Sequence, residues 1–213
     1  MKKKILALAL VVVLAVTAVT GATLAYFTAE DEATNTFTVG NVAIDLIEPD
    51  WDAEGSVDAP EVYPGEALAK DPQVTNEGAN PCFVRIKVEG LDWTGSDDDI
   101  TLRWIDENNV YHDGYNTRDW QLVGDYYYYR KPLCVTGTED DSWNANYNLT
   151  DATTELFSQI VIPTDLVNGD GTTEFDIDVT AYAVQAQGAR ASWAEVNSMT
   201  PEQIAEWFTT CGL

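Results

Sequence analysis

The sequence is poor in the residue types on which many enzymes and nucleic-acid-binding proteins depend. It has one histidine, and 11 lysines and arginines stand against 36 aspartates and glutamates, for a formal net charge of -25. Binding to nucleic-acid phosphates requires a basic surface, so sequence-independent nucleic-acid binding is excluded as the main role. Attraction to an anionic membrane surface is excluded for the same electrostatic reason.

The single histidine also argues against hydrolytic chemistry. A zinc protease of the HExxH type needs two histidines one helical turn apart with a glutamate between them, and this motif is absent. A Ser-His-Asp or Cys-His site would have to use His112, which lies in residues 111–114, a segment that we expect to form a surface turn. No catalytic or cofactor-binding residue is therefore assigned.

Cysteine is scarce as well. Cys82, Cys134 and Cys211 do not have the paired spacing of a structural zinc site. In an oxidising compartment three cysteines allow one disulfide and leave one thiol, and the sequence leaves all three pairings open. Isolated buried thiols are an equal alternative, and an unpaired Cys211 could crosslink subunits.

There is one long apolar run, and it lies at the N-terminus. Three lysines at positions 2–4 precede an apolar stretch over residues 5–16, and residues 23–25 have the small-x-small pattern that signal peptidase recognises. The apolar stretch is shorter than the roughly 20 residues of a transmembrane helix. We therefore expect residues 1–25 to be a signal peptide cut between Ala25 and Tyr26, which gives a secreted protein without stable membrane insertion. A retained N-terminal anchor is the alternative.

Short β-strand patterns fill most of the remaining chain. β-branched and aromatic stretches bounded by Gly, Pro, Asn or Asp indicate strands at 36–39, 42–47, 67–75, 83–89, 101–106, 120–123, 126–130, 156–162 and 174–187. Gly124-Asp125 predicts a hairpin turn, and the acidic, proline-containing residues 50–64 predict a loop. This pattern is typical of an all-β antiparallel sandwich, which we assign to residues 40–213.

Helix signals are confined to the C-terminal part. Thr200 is a suitable N-cap, Pro201 suits the first helical position, and Gln203 can complete a capping box. We therefore expect a short helix at about residues 200–208. A further helical turn is expected near residues 192–196.

Two acidic loops are candidate calcium sites. Asp97, Asp98 and Asp99 in one loop, and Asp165 and Asp170 in another, carry the oxygen ligands that calcium prefers, although neither loop has EF-hand spacing. Acidic loops are more often simply solvated, so no cofactor is assigned and calcium is the alternative.

Four consecutive tyrosines at positions 126–129 suggest a glycan-binding surface. Alternate residues of a strand point to opposite faces, however, so packing is the expected use of these rings.

The N-terminal part of the chain carries a family resemblance. Residues 21–28 (GATLAYFT) lead from the signal peptide into two aromatic residues, and residues 35–46 (NTFTVGNVAIDL) follow as a strand. With Tyr-Pro-Gly at 63–65 and VTNEG at 74–78, these segments resemble the TasA/camelysin family of secreted Gram-positive proteins, whose signal peptides are cut by a SipW-type peptidase. The resemblance implies a jelly-roll-like sandwich and a role in extracellular fibres of a biofilm matrix.

The resemblance also implies that residues 26–39 act as a donor strand for the next subunit. Tyr26, Phe27, Phe37 and Val39 would supply the side chains for the receiving groove, although residues 29–34 between them are acidic and polar. The expected partners are copies of the chain or related secreted subunits. Alternatives are a cell-surface binding module for glycans or host proteins, a camelysin-like metalloendopeptidase, and a frayed terminus in place of a donor strand.

The signal-peptide assignment predicts the first residue of the exported protein. Mass spectrometry or N-terminal sequencing of protein recovered from culture medium should find Tyr26 as the first residue, because Thr23 and Ala25 place the cut before it. Recovery of exported protein that begins at Met1 would contradict the assignment.

Overall fold

A computed structural model describes residues 41–58, 62–92, 99–139, 142–165 and 175–213. They belong to one compact unit, Gly40–Leu213. The predicted signal peptide, its cleavage site at Ala25–Tyr26 and the segment with Phe27, Phe37 and Val39 lie outside the described residues. Within the described ranges, no helix has the length and apolar character needed to cross a membrane.

The described residues form antiparallel β-strands and a few short helices. The strands are β1 (Ile44–Ile47), β2 (Ala67–Ala69), β3 (Gln73–Asn76), β4 (Cys82–Glu89), β5 (Thr101–Ile105), β6 (Tyr111–Asp113), β7 (Trp120–Val123), β8 (Tyr126–Tyr129), β9 (Gln159–Val161) and β10 (Asp178–Gln185). A π-helical turn (Trp51–Gly55) leads into α1 (Ser56–Asp58), and the other helices are α2 (Ser142–Tyr147), α3 (Trp193–Val196) and α4 (Pro201–Thr210).

Two four-stranded sheets and one two-stranded sheet result. Sheet I has the order β10-β4-β8-β7, sheet II has the order β2-β9-β5-β6, and β1 pairs with β3. Successive parts of the chain alternate between sheets I and II, as in a jelly-roll-like sandwich. The predicted all-β fold with a short C-terminal helix is therefore confirmed.

The main core lies between the two sheets. Every second residue of a strand points inward, and sheet I and sheet II contribute fully buried side chains such as Ile86 and Ile160. Burial of each such side chain contributes about 1.5–3 kcal/mol to folding. Packing in this core holds sheet I and sheet II together.

A second, smaller core lies on the outer face of sheet I. Phe83, Tyr128 and Val184 of that face pack against Ile204 and Phe208 of α4. The capping box predicted from the sequence is present, since the Thr200 hydroxyl accepts a hydrogen bond from the Gln203 N–H and the Gln203 side chain accepts one from the Thr200 N–H. The C-terminal helix therefore covers this face of sheet I.

The predicted hairpin at Gly124-Asp125 is confirmed. Val123 and Tyr126 are paired across the turn, and Gly124 has a φ of 62°. A positive φ at the first central residue is what a type II′ hairpin turn requires.

The predicted strand at 67–75 is wrong in one respect, because it is two strands. β2 pairs with β9 in sheet II, whereas β3 pairs with β1. The residues between them include Pro72, which has no N–H to donate to a ladder.

The predicted loop at 50–64 is also wrong in part, since it contains the π-helical turn and α1. The carboxylate of Asp71 accepts hydrogen bonds from the N–H groups of Asp50 and Trp51 at 2.8 and 3.2 Å. A partner about 20 residues away thus stabilises the start of this turn.

The expected surface turn at His112 is wrong, because His112 lies in β6. It is paired with Trp104 of β5, and the two rings stack with centroids 4.6 Å apart. A cross-strand contact with an aromatic side chain, rather than local turn chemistry, determines the conformation here.

Asn76 provides a test of how the fold is held together. Its side chain is fully buried, donates to the carbonyls of Asn80 and Cys134, and accepts from the Gly78 N–H. Asn76→Ala should lower the free energy of unfolding by roughly 2 kcal/mol or more, because buried carbonyls lose their donors. Denaturant unfolding measures this change.

Asn108→Ala is the control for this substitution, because Asn108 is an exposed asparagine. It should change the free energy of unfolding by less than about 0.5 kcal/mol. Equal effects of the two substitutions would contradict the assigned role of Asn76.

Candidate functional site

Several strand edges are already closed by other parts of the chain. On the outer edge of β7, the Trp120 N–H donates to the Asn116 carbonyl (3.0 Å) and the Leu122 N–H donates to the Tyr115 hydroxyl (3.2 Å). These contacts use the N–H groups that an added strand would need. β7 is therefore a poor place for another chain to pair.

The edges of β2 and β3 are also covered. A Cβ atom on Gly55 would lie 2.1 Å from the Ala69 carbonyl oxygen, so the π-helical turn lies directly against β2. On the far side of β3, Thr75 forms a bridge with Ala152, and the Thr153 N–H donates to the Val74 carbonyl. Both edges are thereby shielded from an incoming strand.

The boundary between β1 and β10 is different. The two strands lie next to each other, but within the described residues no hydrogen bond joins them. β10 is paired with β4 on its other side, and β1 is paired with β3. We call the unpaired boundary between β1 and β10 the seam.

The register shows which backbone groups point toward the seam. The Ala186 N–H donates to the Pro81 carbonyl, so even-numbered residues of β10 direct their backbone groups to β4. The odd-numbered residues Val179, Ala181 and Ala183 direct theirs away from it. On the β1 side, the Glu77 N–H donates to the Ala43 carbonyl, so the odd-numbered residues of β1 direct their backbone groups to β3. The even-numbered residues of β1 therefore direct theirs to the seam.

Apolar side chains line the same boundary. Three from β10 and three from β1 or just before it pack against the main core and are only partly buried: Val179, Ala181, Ala183, Val42, Ile44 and Leu46. An exposed strand edge that carries partly buried apolar side chains is the kind of surface that an extended peptide completes. The seam is therefore the candidate functional site.

A buried group of charges fixes the end of β1 beside the seam. Lys70 is 5% exposed, forms a 2.8 Å salt bridge with Glu48, and lies over the Trp51 ring at 4.7 Å. Asp71, next in sequence, holds the start of the π-helical turn that follows β1. This arrangement ties β1 to the connection between β2 and β3.

Two carboxyl groups in this region have raised pKa values. Burial is the main cause for both Asp71 and Glu155, and repulsion from the Asp50 carboxylate raises each of them further. The Glu155 carboxylate accepts a hydrogen bond from the Ser158 hydroxyl at 2.8 Å, which lowers its pKa in part. In the folded protein these groups therefore hold protons at a higher pH than in the unfolded chain.

The three cysteines are free thiols. Cys82 and Cys134 are buried and Cys211 is exposed. Burial raises the pKa of the Cys82 thiol to about 12 and that of Cys134 to about 11. The two buried thiols are therefore fully protonated at neutral pH, and they react slowly with oxidants in this state.

The tyrosine run packs inward on both faces of its strand, as expected. Tyr127 and Tyr129 contact the main core, where Tyr129 meets Trp120 edge to face at 5.0 Å. Tyr126 and Tyr128 belong to the smaller core on the other face. The run therefore does not form a continuous aromatic platform for glycans.

Only two of the five calcium candidates lie within the described residues. Asp99 and Asp165 are exposed, while Asp97, Asp98 and Asp170 lie outside the described residues. Sequence reasoning did not identify the edge of β10 as a site. The sequence predicted a strand at 174–187, but a strand pattern carries no information on which edge of the strand lacks a neighbour.

Comparison with known proteins adds one finding. Residues 1–88 match the family model described as camelysin metallo-endopeptidase. This match confirms the resemblance to the TasA/camelysin family for that part of the chain, which ends within β4. No curated protein and no solved structure matches the chain.

The raised pKa of Glu155 predicts a pH-dependent gain in stability for Glu155→Gln. A carboxyl group with a higher pKa in the folded state stabilises the fold below its unfolded pKa of about 4.3, and this contribution is lost as the pH rises through the folded pKa. Glutamine keeps the acceptor for Ser158 without the buried charge. The thermal midpoint should rise by a few degrees at pH 7, and the gain should vanish near pH 4.

The exposed residue Glu54 provides the control. Glu54→Gln should leave the thermal midpoint nearly unchanged at both pH values. A lower midpoint for Glu155→Gln at pH 7 would show that the Glu155 charge stabilises the fold.

Proposed function

Proceeding from the camelysin match over residues 1–88, we propose that the protein is a secreted structural protein that builds or decorates extracellular fibres of a matrix. Assembly occurs by strand addition. Residues 26–39 of one copy enter the seam of the next copy and pair with the outer edge of β10. The outer edge of β10 from Val179 to Ala183, which has no strand partner among the described residues, is the observation that carries the proposal.

Backbone hydrogen bonding provides the driving force. Val179, Ala181 and Ala183 of β10 present N–H and C=O groups without a partner in the described residues, and an extended peptide would satisfy them. The Gln185 carbonyl, at the end of the strand, already accepts the Trp207 indole N–H at 2.8 Å. Phe37 and Val39 alternate with threonines, so their side chains point to one face of such a strand. On that face they would meet the partly buried apolar side chains of the seam.

The seam must widen to admit a strand. Hydrogen-bonded strands lie about 4.8 Å apart, so a strand on β10 displaces β1 from its present position beside β10. No ladder between β1 and β10 has to be broken among the described residues. Since donor and acceptor surfaces differ, the contact is heterologous and propagates as a filament rather than closing a dimer.

Net charge regulates this association. The formal charge is -25 for the full chain and becomes more negative when residues 1–25, which hold three lysines and no acidic residue, are removed. This charge would keep copies apart at low ionic strength. Salt screens this repulsion, and low pH and divalent cations reduce it. Assembly outside the cell would therefore depend on the ionic conditions that the protein meets after export.

The description of the matched family favours a second candidate, a metalloendopeptidase. In the part of the chain that the structure describes, no group of three His, Cys, Asp or Glu side chains is placed to hold a metal ion. His112 Nε2 lies 3.2 Å from Asp106 Oδ2, and Asp106 also accepts the N–H groups of Asn108 and Val110. This pair stabilises the β5–β6 turn. The described residues thus do not fit a catalytic metal, and a casein digestion assay with zinc and a chelator control separates the two candidates.

Electron microscopy of two purified forms tests the proposed assembly. Protein 26–213 should form fibres at high salt or low pH, whereas protein 40–213 should not, because it keeps every described strand but lacks the donor segment. Circular dichroism must show that both forms are folded. Fibres from both forms would contradict the donor role of residues 26–39.

Two lysine substitutions on β10 test the seam itself. Ala181 is partly buried against the main core, whereas Thr180 beside it is exposed. Ala181→Lys should reduce fibre formation by protein 26–213 at least tenfold, because it places a charge where the donor strand would pack. Thr180→Lys adds the same charge and should assemble normally. Equal loss with both variants would show that charge alone, and not the seam, controls assembly.

A further inference from the structure

Arg85 is buried among aromatic rings on the outer face of sheet I. Its side chain belongs to β4 and is 5% exposed. The guanidinium lies over the Tyr126 ring at 3.8 Å and the Phe208 ring at 4.6 Å, and Nη1 donates to the Tyr128 hydroxyl at 3.0 Å. These contacts are favourable cation–π and hydrogen-bonding interactions, but none of them supplies a negative charge.

No acidic side chain among the described residues forms a salt bridge with Arg85. The described ion pairs involve other residues, and Arg85 Nε is buried without a hydrogen-bond partner. An arginine remains charged at any physiological pH, so burial without a counter-ion is costly. Lys70, also a buried cation within the described residues, has the Glu48 carboxylate at 2.8 Å. Arg85 therefore has no counter-ion among the described residues.

A cavity of about 510 Å³ opens beside this guanidinium, between β8 and α4. Val123, Ala205 and Leu213 give it apolar walls. Glu202 and Glu206, one helical turn apart on α4, line it as well and are exposed. Hydrogen bonds, chiefly from its own backbone N–H, hold the pKa of Glu202 below its usual range, so this side chain is negative at neutral pH.

This arrangement of charges selects among ligands. A simple anion is attracted by Arg85 but repelled by the two glutamates. A simple cation is attracted by the two glutamates but repelled by Arg85. A compact zwitterion satisfies both sets of charges. We propose that this cavity binds a free α-amino acid with an apolar or aromatic side chain, with its carboxylate against Arg85 and its ammonium group toward Glu202 and Glu206. This site is separate from the seam and does not depend on fibre formation.

Three probes of one shape test the proposal on folded protein 26–213. Isothermal titration would compare phenylalanine with 3-phenylpropanoate, which lacks the ammonium group, and with 2-phenylethylamine, which lacks the carboxylate. Phenylalanine should bind at least tenfold more tightly than either analogue, because each analogue loses one charge pair and leaves protein charges unmatched. Equal binding of the three probes, or no binding of phenylalanine, would overturn the proposal.

Substitutions assign the two ends of the ligand. Glu206→Gln should weaken phenylalanine binding and leave 3-phenylpropanoate unchanged or tighter, whereas Glu77→Gln, at an exposed glutamate outside the cavity, should change neither. Arg85→Gln should abolish the preference for a carboxylate. Because that variant also removes packing beneath α4, Ala205→Trp serves as a second test, since it fills the cavity and should abolish binding while Arg85 stays in place. Unchanged binding in Ala205→Trp would place the ligand elsewhere.

Discussion

The requirement that backbone N–H and C=O groups find partners shapes this molecule more than any single side-chain contact. Three strand edges of the described fold meet it internally. A tyrosine hydroxyl and an asparagine carbonyl close β7, a glycine lets the π-helical turn lie against β2, and residues 151–153 close β3. The edge of β10 faces β1 without pairing to it. The proposed function follows from this difference between the edges.

Side-chain burial and charge reinforce the same arrangement. The seam has apolar side chains that are only partly buried, so in the proposed assembly its interior would gain stability when another strand covers it. The Glu48–Lys70 pair and the Asp71 carboxylate tie the end of β1 to the connection between β2 and β3. In the proposed assembly, the acidic surface would oppose association until ions screen its charge. Stability of the monomer and readiness to assemble thus arise from different parts of the structure.

Sequence reasoning succeeded where the determinants are local. The turn at Gly124 and the cap at Thr200 depend on residues within three positions, and both were predicted correctly. It failed where a distant partner decides the conformation. The Asp71 carboxylate accepts hydrogen bonds from a turn that lies 20 residues earlier in the sequence. His112 stacks on Trp104 of the neighbouring strand and is itself in a strand. The seam was also missed, because the absence of a neighbouring strand is a property of the tertiary arrangement and leaves no pattern in the sequence.

Hydrogen–deuterium exchange along β10 tests the central claim most directly. In the monomer, the amides of Val179, Ala181 and Ala183 should exchange quickly, while those of Tyr182 and Val184, which face β4, should be protected. In fibres all five should be protected, because a donor strand then pairs with the outer edge. Protection of the three odd-numbered amides already in the monomer, or their rapid exchange in fibres, would contradict strand addition at the seam.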